Sequence, residues 1–339
     1  MTNRARLACL LALLLSAPST PVAAQDMSYD AYVQLLMARA RAEGVSESTL
    51  QRMTADLTPN RRAIELDRSQ PGSSSGPGYP ALAPYIARHV DTARISGGRR
   101  AYANYRDSLA TIERTYGVPG EIVTAIWGHE TAYGAVKGGF DLSQALSTLA
   151  WEGRRRELFS AEWVALMKVA DKGYPRSALK GSWAGAFGNP QFLPSVYLRL
   201  AVDGDGDGRA DIMNNERDAL ASIANYFRDA GWRAGQPWGV RATLPAGFDV
   251  DRFRSKIDAP VCSRVHERHS QFKTVDEWSR LGVRALRPLS GDTQVSLFQP
   301  DGPGTPAWML TGNYRVILEY NCSNYYAMSV GLLADEIAR

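Results

Sequence analysis

Three cysteines and four histidines are all that 339 residues contain, and neither sign of charge dominates. The histidines (His89, His129, His266 and His269) stand in no motif with a cysteine or serine, which argues against a thiol or serine nucleophile. Lysine and arginine number 39 against 35 acidic residues, a net charge of +4 that is too small to point to nucleic acid. No internal repeat is visible, so a solenoid is not indicated. The apolar run at residues 7–17 is broken by Ser16, Pro18 and Ser19 well short of the ~20 residues a membrane span needs.

The N-terminus reads as an export signal. Arg4 and Arg6 supply a positive start, the apolar run comes next, and Val22-Ala23-Ala24 offers small residues for cleavage. Residues 1–24 are therefore read as a signal peptide. Cys9 lies inside the apolar run instead of at its end, which disfavours a lipoprotein anchor. Arg4 and Arg6 leave with the leader, lowering the positive charge by two, and the remaining Cys262 and Cys322 are expected to pair in an oxidising compartment. The rest of the chain is long enough for more than one lobe, because single cores stop growing at ~250–300 residues.

Apolar residues at helical spacing predict helices over 28–41, 99–116, 119–133, 143–151, 157–171, 216–230 and 325–337. Gly117, Gly134 and Gly231 mark helix ends, and Pro119 suits a helix start. The tract at 69–80, SQPGSSSGPGYP, has too little apolar surface to offset its ordering entropy and reads as a flexible loop. Residues 181–197 hold too much glycine and proline to be regular before Pro194, after which a helix is expected. Beyond Trp238 short β-prone pieces such as 294–298 and 314–320 appear between Gly, Pro and Asp. The pattern predicts a mainly α (α+β) chain. A helical N-terminal part spans 25–115, a helical core 116–238 and a small β lobe 239–310, and a C-terminal strand and helix at 311–339 return to the core.

Two patterns carry chemistry. Ile122, Ile126 and Glu130 recur in steps of four, so the Glu130 carboxyl continues an apolar stripe instead of facing water. Loss of hydration and the negative end of the helix dipole both raise the pKa of such a group, giving an acid that stays protonated near neutrality. A structural alternative is a Glu that pairs with His129 or Lys137. The second pattern is Asp203-Gly-Asp205-Gly-Asp207-Gly208, three carboxylates at alternate positions and glycine at the sixth, the first half of an EF-hand loop. The carbonyl of Arg209 falls at the seventh position, but the twelfth is Asn214, so a further carboxylate must come from elsewhere. A solvated Asp/Gly turn is the alternative.

The stretches AIWGHETAYG at 125–134, GSWAGAFGNPQFLPSVY at 181–197, Asn225-Tyr226-Phe227, Tyr320-Asn321 and Tyr325-Tyr326-Ala327-Met328 occur in one order. Together, across roughly 118–336, they resemble the B-type membrane-bound lytic murein transglycosylases. The resemblance implies a lysozyme-like helical core and a periplasmic enzyme. Such an enzyme cuts the MurNAc-GlcNAc β-1,4 bond of peptidoglycan glycan strands without water, leaving 1,6-anhydroMurNAc. It implies Glu130 as the sole catalytic carboxyl, and Ser182, Gln191, Tyr226, Tyr320, Asn321 and Tyr326 as substrate-binding residues. It also implies a structural Ca2+ loop of Asp203, Asp205, Asp207 and Arg209 closed by Asp218, with Glu216 as a rival, and no organic cofactor. Asn189-Pro190 depart from the aromatic and glycine usual before Gln-Phe, which puts groove shape in question.

A lysozyme-type hydrolase, with Asp141 or Glu152 near the groove, and a non-catalytic peptidoglycan-binding protein are the competing readings. Trp151, Trp163 and Trp183 are candidate sugar platforms, with core packing the plainer reading of the first two. A monomer is expected, with cell-wall synthesis proteins as candidate partners.

Overall fold

The computed structural model describes residues 27–70, 81–255 and 262–339; the expected leader at 1–24 and nearly all of the 69–80 tract lie outside them. The helices are α1 (Tyr29–Ala42), α2 (Glu47–Thr54), α3 (Arg61–Arg68), α4 (Leu82–His89), α5 (Thr92–Asn104), α6 (Arg106–Tyr116), α7 (Gly120–Thr131) and α8 (Leu142–Glu152). They continue with α9 (Arg156–Asp171), α10 (Pro194–Leu200), α11 (Glu216–Asp229), α12 (Ser263–His266), α13 (Val275–Arg280), α14 (Gly312–Tyr320) and α15 (Asn324–Ile337). The strands are β1 (Phe140–Asp141), β2 (Lys180–Gly181), β3 (Gly239–Thr243), β4 (Lys273–Thr274), β5 (Arg284–Ala285), β6 (Gln294–Phe298) and β7 (Ala307–Leu310). No helix among the described residues is long and apolar enough to cross a membrane.

Helix α7 is apolar all round, with Ile122 through Gly128 buried without interruption, and it is surrounded accordingly. Helices α5, α6, α11 and α15 pack on it. Their cluster runs from Leu109 and Ile126 through Phe227 to Tyr314 and Leu333. A second cluster joins α1, α8, α9 and α10 around Leu146, Trp163 and Phe187, and Trp163 is fully buried there as core. Side-chain caps start many of these helices: Ser28, Ser46, Asn60 and Asp91 each accept a backbone N–H from the first turn. The small lobe is an antiparallel sheet of order β4-β6-β7-β3-β5 over Trp278, Leu297 and Met309. The Cys262–Cys322 disulfide ties this lobe to the turn between α14 and α15.

Two expectations are corrected. Residues 314–320, read as a C-terminal strand, form α14. Thr311 caps it by accepting the Asn313 N–H, and Asn313, Tyr314, Val316, Ile317 and Leu318 are buried. Burial on a helical face overrides the β-prone residues, whose preference depends strongly on context. Residues 99–116 are not one helix but the end of α5 and all of α6. They are divided at Tyr105, whose φ of −111° and ψ of 18° leave the helical region while its ring sets its edge on Trp127.

Candidate active site

Glu130 sits one residue before the end of α7, and the turn after it is built to hold that end in place. Ala132 and Tyr133 both adopt positive φ, 49° and 60°, a costly conformation for residues with side chains. Surrounding contacts impose it. The Tyr133 hydroxyl donates to the Arg94 carbonyl, and its ring lies where a Cβ on Gly128 would approach to 2.5 Å, so Gly128 must be glycine. Thr131 Oγ1 accepts the Gly134 N–H and donates to the Asn189 carbonyl, and Trp127 Nε1 donates to Asn189 Oδ1 at 3.0 Å. Asn189 is fully buried. Asn189 thus anchors the C-terminal end of α7, and the Pro190 carbonyl accepts from the Tyr320 hydroxyl at 2.6 Å.

The Glu130 carboxyl is withdrawn from water, and burial raises its pKa from 4.5 to about 7. Tyr326 opposes this: its hydroxyl donates to Glu130 Oε1 at 2.5 Å, which favours the anion. Neither structural alternative holds. Lys137 gives its ammonium to the Met213 carbonyl, and His129 stacks on His89 and packs against the Tyr326 ring at 5.5 Å. Burial lowers the pKa of His129 to about 3, so it stays neutral and sets no charge beside Glu130.

Tyr226 and Tyr320 meet with ring centroids 4.8 Å apart, beside Phe192. The Tyr226 hydroxyl donates to the Glu319 carbonyl. Gln191, at φ 50°, donates from Nε2 to the carbonyls of Lys137 and Gly188 and so binds the loop after α7 to its own turn. Ser182 accepts the Ala186 N–H on its hydroxyl. Asn321 is exposed at the end of α14. Among the described residues no hydrogen bond joins Ser182, Gln191, Tyr226 or Asn321 to Glu130. Tyr326 is the one foreseen residue that touches it, and Tyr320 reaches the same end of α7 through Pro190.

Tyr85 and His89 were not foreseen. They stack at 3.9 Å on α4, His89 faces His129, and Tyr85 packs on Tyr325 while feeling the charge of Glu130. Their spacing of four is a helical signal, but nothing in the sequence marks the site as their neighbour. A second carboxylate is not on offer from the two candidates. Asp141 caps α8 and bonds Arg176, and Glu152 pairs with Arg68.

In the acidic loop, Asp203, Asp205 and Asp218 each offer an oxygen within 4.8 Å of the others. Asp203 accepts the N–H groups of residues 205 to 208, and Asp218, fully buried, accepts those of Gly204 and Asp211. Asp207 turns to the Arg209 N–H, and Glu216 lies in the first turn of α11. Three close carboxylates of hard oxygen donors suit a divalent cation.

The family described as Transglycosylase SLT domain matches residues 28–335. Membrane-bound lytic murein transglycosylase B of Escherichia coli is 33% identical over 280 residues, which are 80% of this chain and 73% of that one. SltB3 of Pseudomonas aeruginosa, crystallised with NAG-anhNAM-pentapeptide, superposes with a TM-score of 0.82 at 37% identity over 92% of this chain and 80% of that one. The Escherichia coli lytic transglycosylase Slt35 in complex with calcium gives a TM-score of 0.75 at 29% identity over 91% of this chain and 92% of that one. A likeness that spans the helical core, the β lobe and the returning C-terminal helices leaves one assignment: the chain belongs to the transglycosylase SLT domain family and is a lytic murein transglycosylase.

Proposed function

We propose that the chain cleaves the MurNAc-GlcNAc β-1,4 bond with Glu130 as its only acid and base. Protonated, Glu130 gives its proton to the bridging oxygen as the bond to the MurNAc anomeric carbon breaks, and the GlcNAc alcohol leaves. The carboxylate formed then takes the proton of the MurNAc 6-hydroxyl as that oxygen closes on the anomeric carbon. Glu130 ends protonated, and no water is consumed. The reading rests on the half-buried Glu130 carboxyl at the end of α7, whose pKa of about 7 lies where an acid that must also serve as base works best. A hydrolase of this kind needs a second carboxylate at a defined separation, and Asp141 and Glu152 are engaged elsewhere. Digested peptidoglycan should therefore yield muropeptides lighter by one water than hydrolytic ones; mass spectra showing only the heavier, reducing products would refute the lytic route.

Tyr226, Tyr320, Gln191, Ser182 and Asn321 form the groove in this reading, with aromatic faces for pyranose rings and amide or hydroxyl groups for acetamides. Residues 1–24 direct the chain to the periplasm, where peptidoglycan lies. The Asp203 loop is proposed as a structural calcium site, with Asp203, Asp205 and Asp218 as its carboxylates, joined by Asp207 and the Arg209 carbonyl. It lies between Gln191 and Tyr226 in the chain, so calcium would fix the spacing of groove residues without entering the chemistry. Calcium in millimolar excess should raise the melting temperature, and Asp203→Asn should abolish that rise. An identical melting curve with calcium and with chelator would remove the site.

A further inference from the structure

The C-terminal end of α8 borders a cavity of about 450 Å3, lined by Arg61, Ile64, Glu65, Arg68, Trp151, Glu152 and Arg156. Ile64 and Trp151 are its apolar lining. Trp151 spends its indole N–H on the Met27 carbonyl and sets its ring against the edge of Tyr29, leaving ring surface beside Ile64 for a ligand. The rim is unevenly charged. Glu65 is paired with Arg62 and Glu152 with Arg68, while Arg156 donates to the Trp151 carbonyl and lies over the Tyr32 ring. Arg61 is exposed and has no acidic partner among the described residues. A guanidinium without a counter-charge beside an indole face suits a carboxylate carried on an aliphatic or sugar body.

The position gives that ligand an identity. Helix α8 starts at Asp141 on β1, which pairs with β2 directly before Ser182. Its 11 residues span about 16 Å at 1.5 Å per residue. The cavity therefore lies a short stretch of polymer from the Ser182 side of the groove. A glycan strand in the groove carries peptide stems bearing free carboxylates, and a neighbouring strand of the same wall carries more. We propose that this cavity is an accessory site for the carboxylate-bearing peptide stem of peptidoglycan, holding the wall while the groove cuts it. The proposal rests on the reading of the groove given above.

Native mass spectrometry of the Glu130→Gln protein with a disaccharide-tetrapeptide should count two bound molecules, and one after Arg61→Glu is added. The peptide-free disaccharide should count one in both. In otherwise wild-type enzyme, Arg61→Glu should raise KM for insoluble peptidoglycan about tenfold, the loss of one charged hydrogen bond. Turnover of a short peptide-free glycan should be unchanged, and Arg61→Lys should restore most of the loss. Unchanged stoichiometry and KM would overturn the proposal, as would an equal loss on the short glycan. So would a loss of binding to anionic phospholipid vesicles with muropeptide binding intact, which would assign the patch to a membrane. Failure of the groove reading is separate: wild-type enzyme would then release no anhydro product from either substrate.

Discussion

Glu130→Gln is expected to lower turnover by about 10³-fold or more, since acid and base assistance each contribute about 10²–10⁴. Binding of glycan should persist because the amide keeps the shape of the side chain. The same substitution should stabilise the protein, and only in one pH range. A carboxyl with a pKa of about 7 when folded and 4.5 when unfolded holds its proton more tightly in the fold. Its contribution to stability is complete below pH 4.5 and fades as pH rises through about 7. At pH 8 the wild-type protein bears the cost of a desolvated anion, on the order of 1–3 kcal/mol at 1.36 kcal/mol per pKa unit. Glutamine escapes it. Melting curves should therefore show the variant several degrees higher at pH 8 and level with wild type at pH 4, about 2–4 °C per kcal/mol for a chain of this size. Equal melting temperatures at both pH values would mean that Glu130 is solvated, and the acid role would fail with it.

Tyr326→Phe should lower kcat about tenfold and shift the alkaline limb of the pH profile upward. The hydroxyl donates to Glu130 Oε1 at 2.5 Å and stabilises the carboxylate. Its removal leaves burial unopposed, so the Glu130 pKa should rise from about 7 and activity should persist to higher pH. The fall in kcat has a separate origin. Without the phenol, the carboxylate formed after bond cleavage lacks its partner, and a hydrogen bond to a charged group is worth about 1.5–3 kcal/mol. Steady-state rates across pH 5–9 separate the two effects. A limb that moves to lower pH would show that Tyr326 favours the protonated acid, the reverse of the geometry.

The helices that bury one face were legible because their apolar spacing has the period of the helix itself. Helix α1 and the strand at Gln294–Phe298 fall where spacing placed them. Glu130 was legible for the same reason: Ile122 and Ile126 carry its face inward. Helix α14 was not, because Tyr314, Val316 and Ile317 look β-prone until the packing around α15 is known. Tyr85 and His89 were missed because they follow a Gly/Ser/Pro tract and approach Glu130 only through α15 and His129.

The sequence by itself determined that a carboxyl would end an apolar helix, that an acidic loop would crowd three negative charges together, and that two cysteines would remain to pair. Local periodicity and short-range charge carry that information. Only the tertiary structure decided that Tyr326 would donate to Glu130, that Asn189 would clamp Trp127 and Thr131, and that Arg61 and Trp151 would line one cavity. These are meetings of residues far apart in the chain. They depend on how the helices pack, because a side chain's partner is set by the neighbouring element that packing brings to its face.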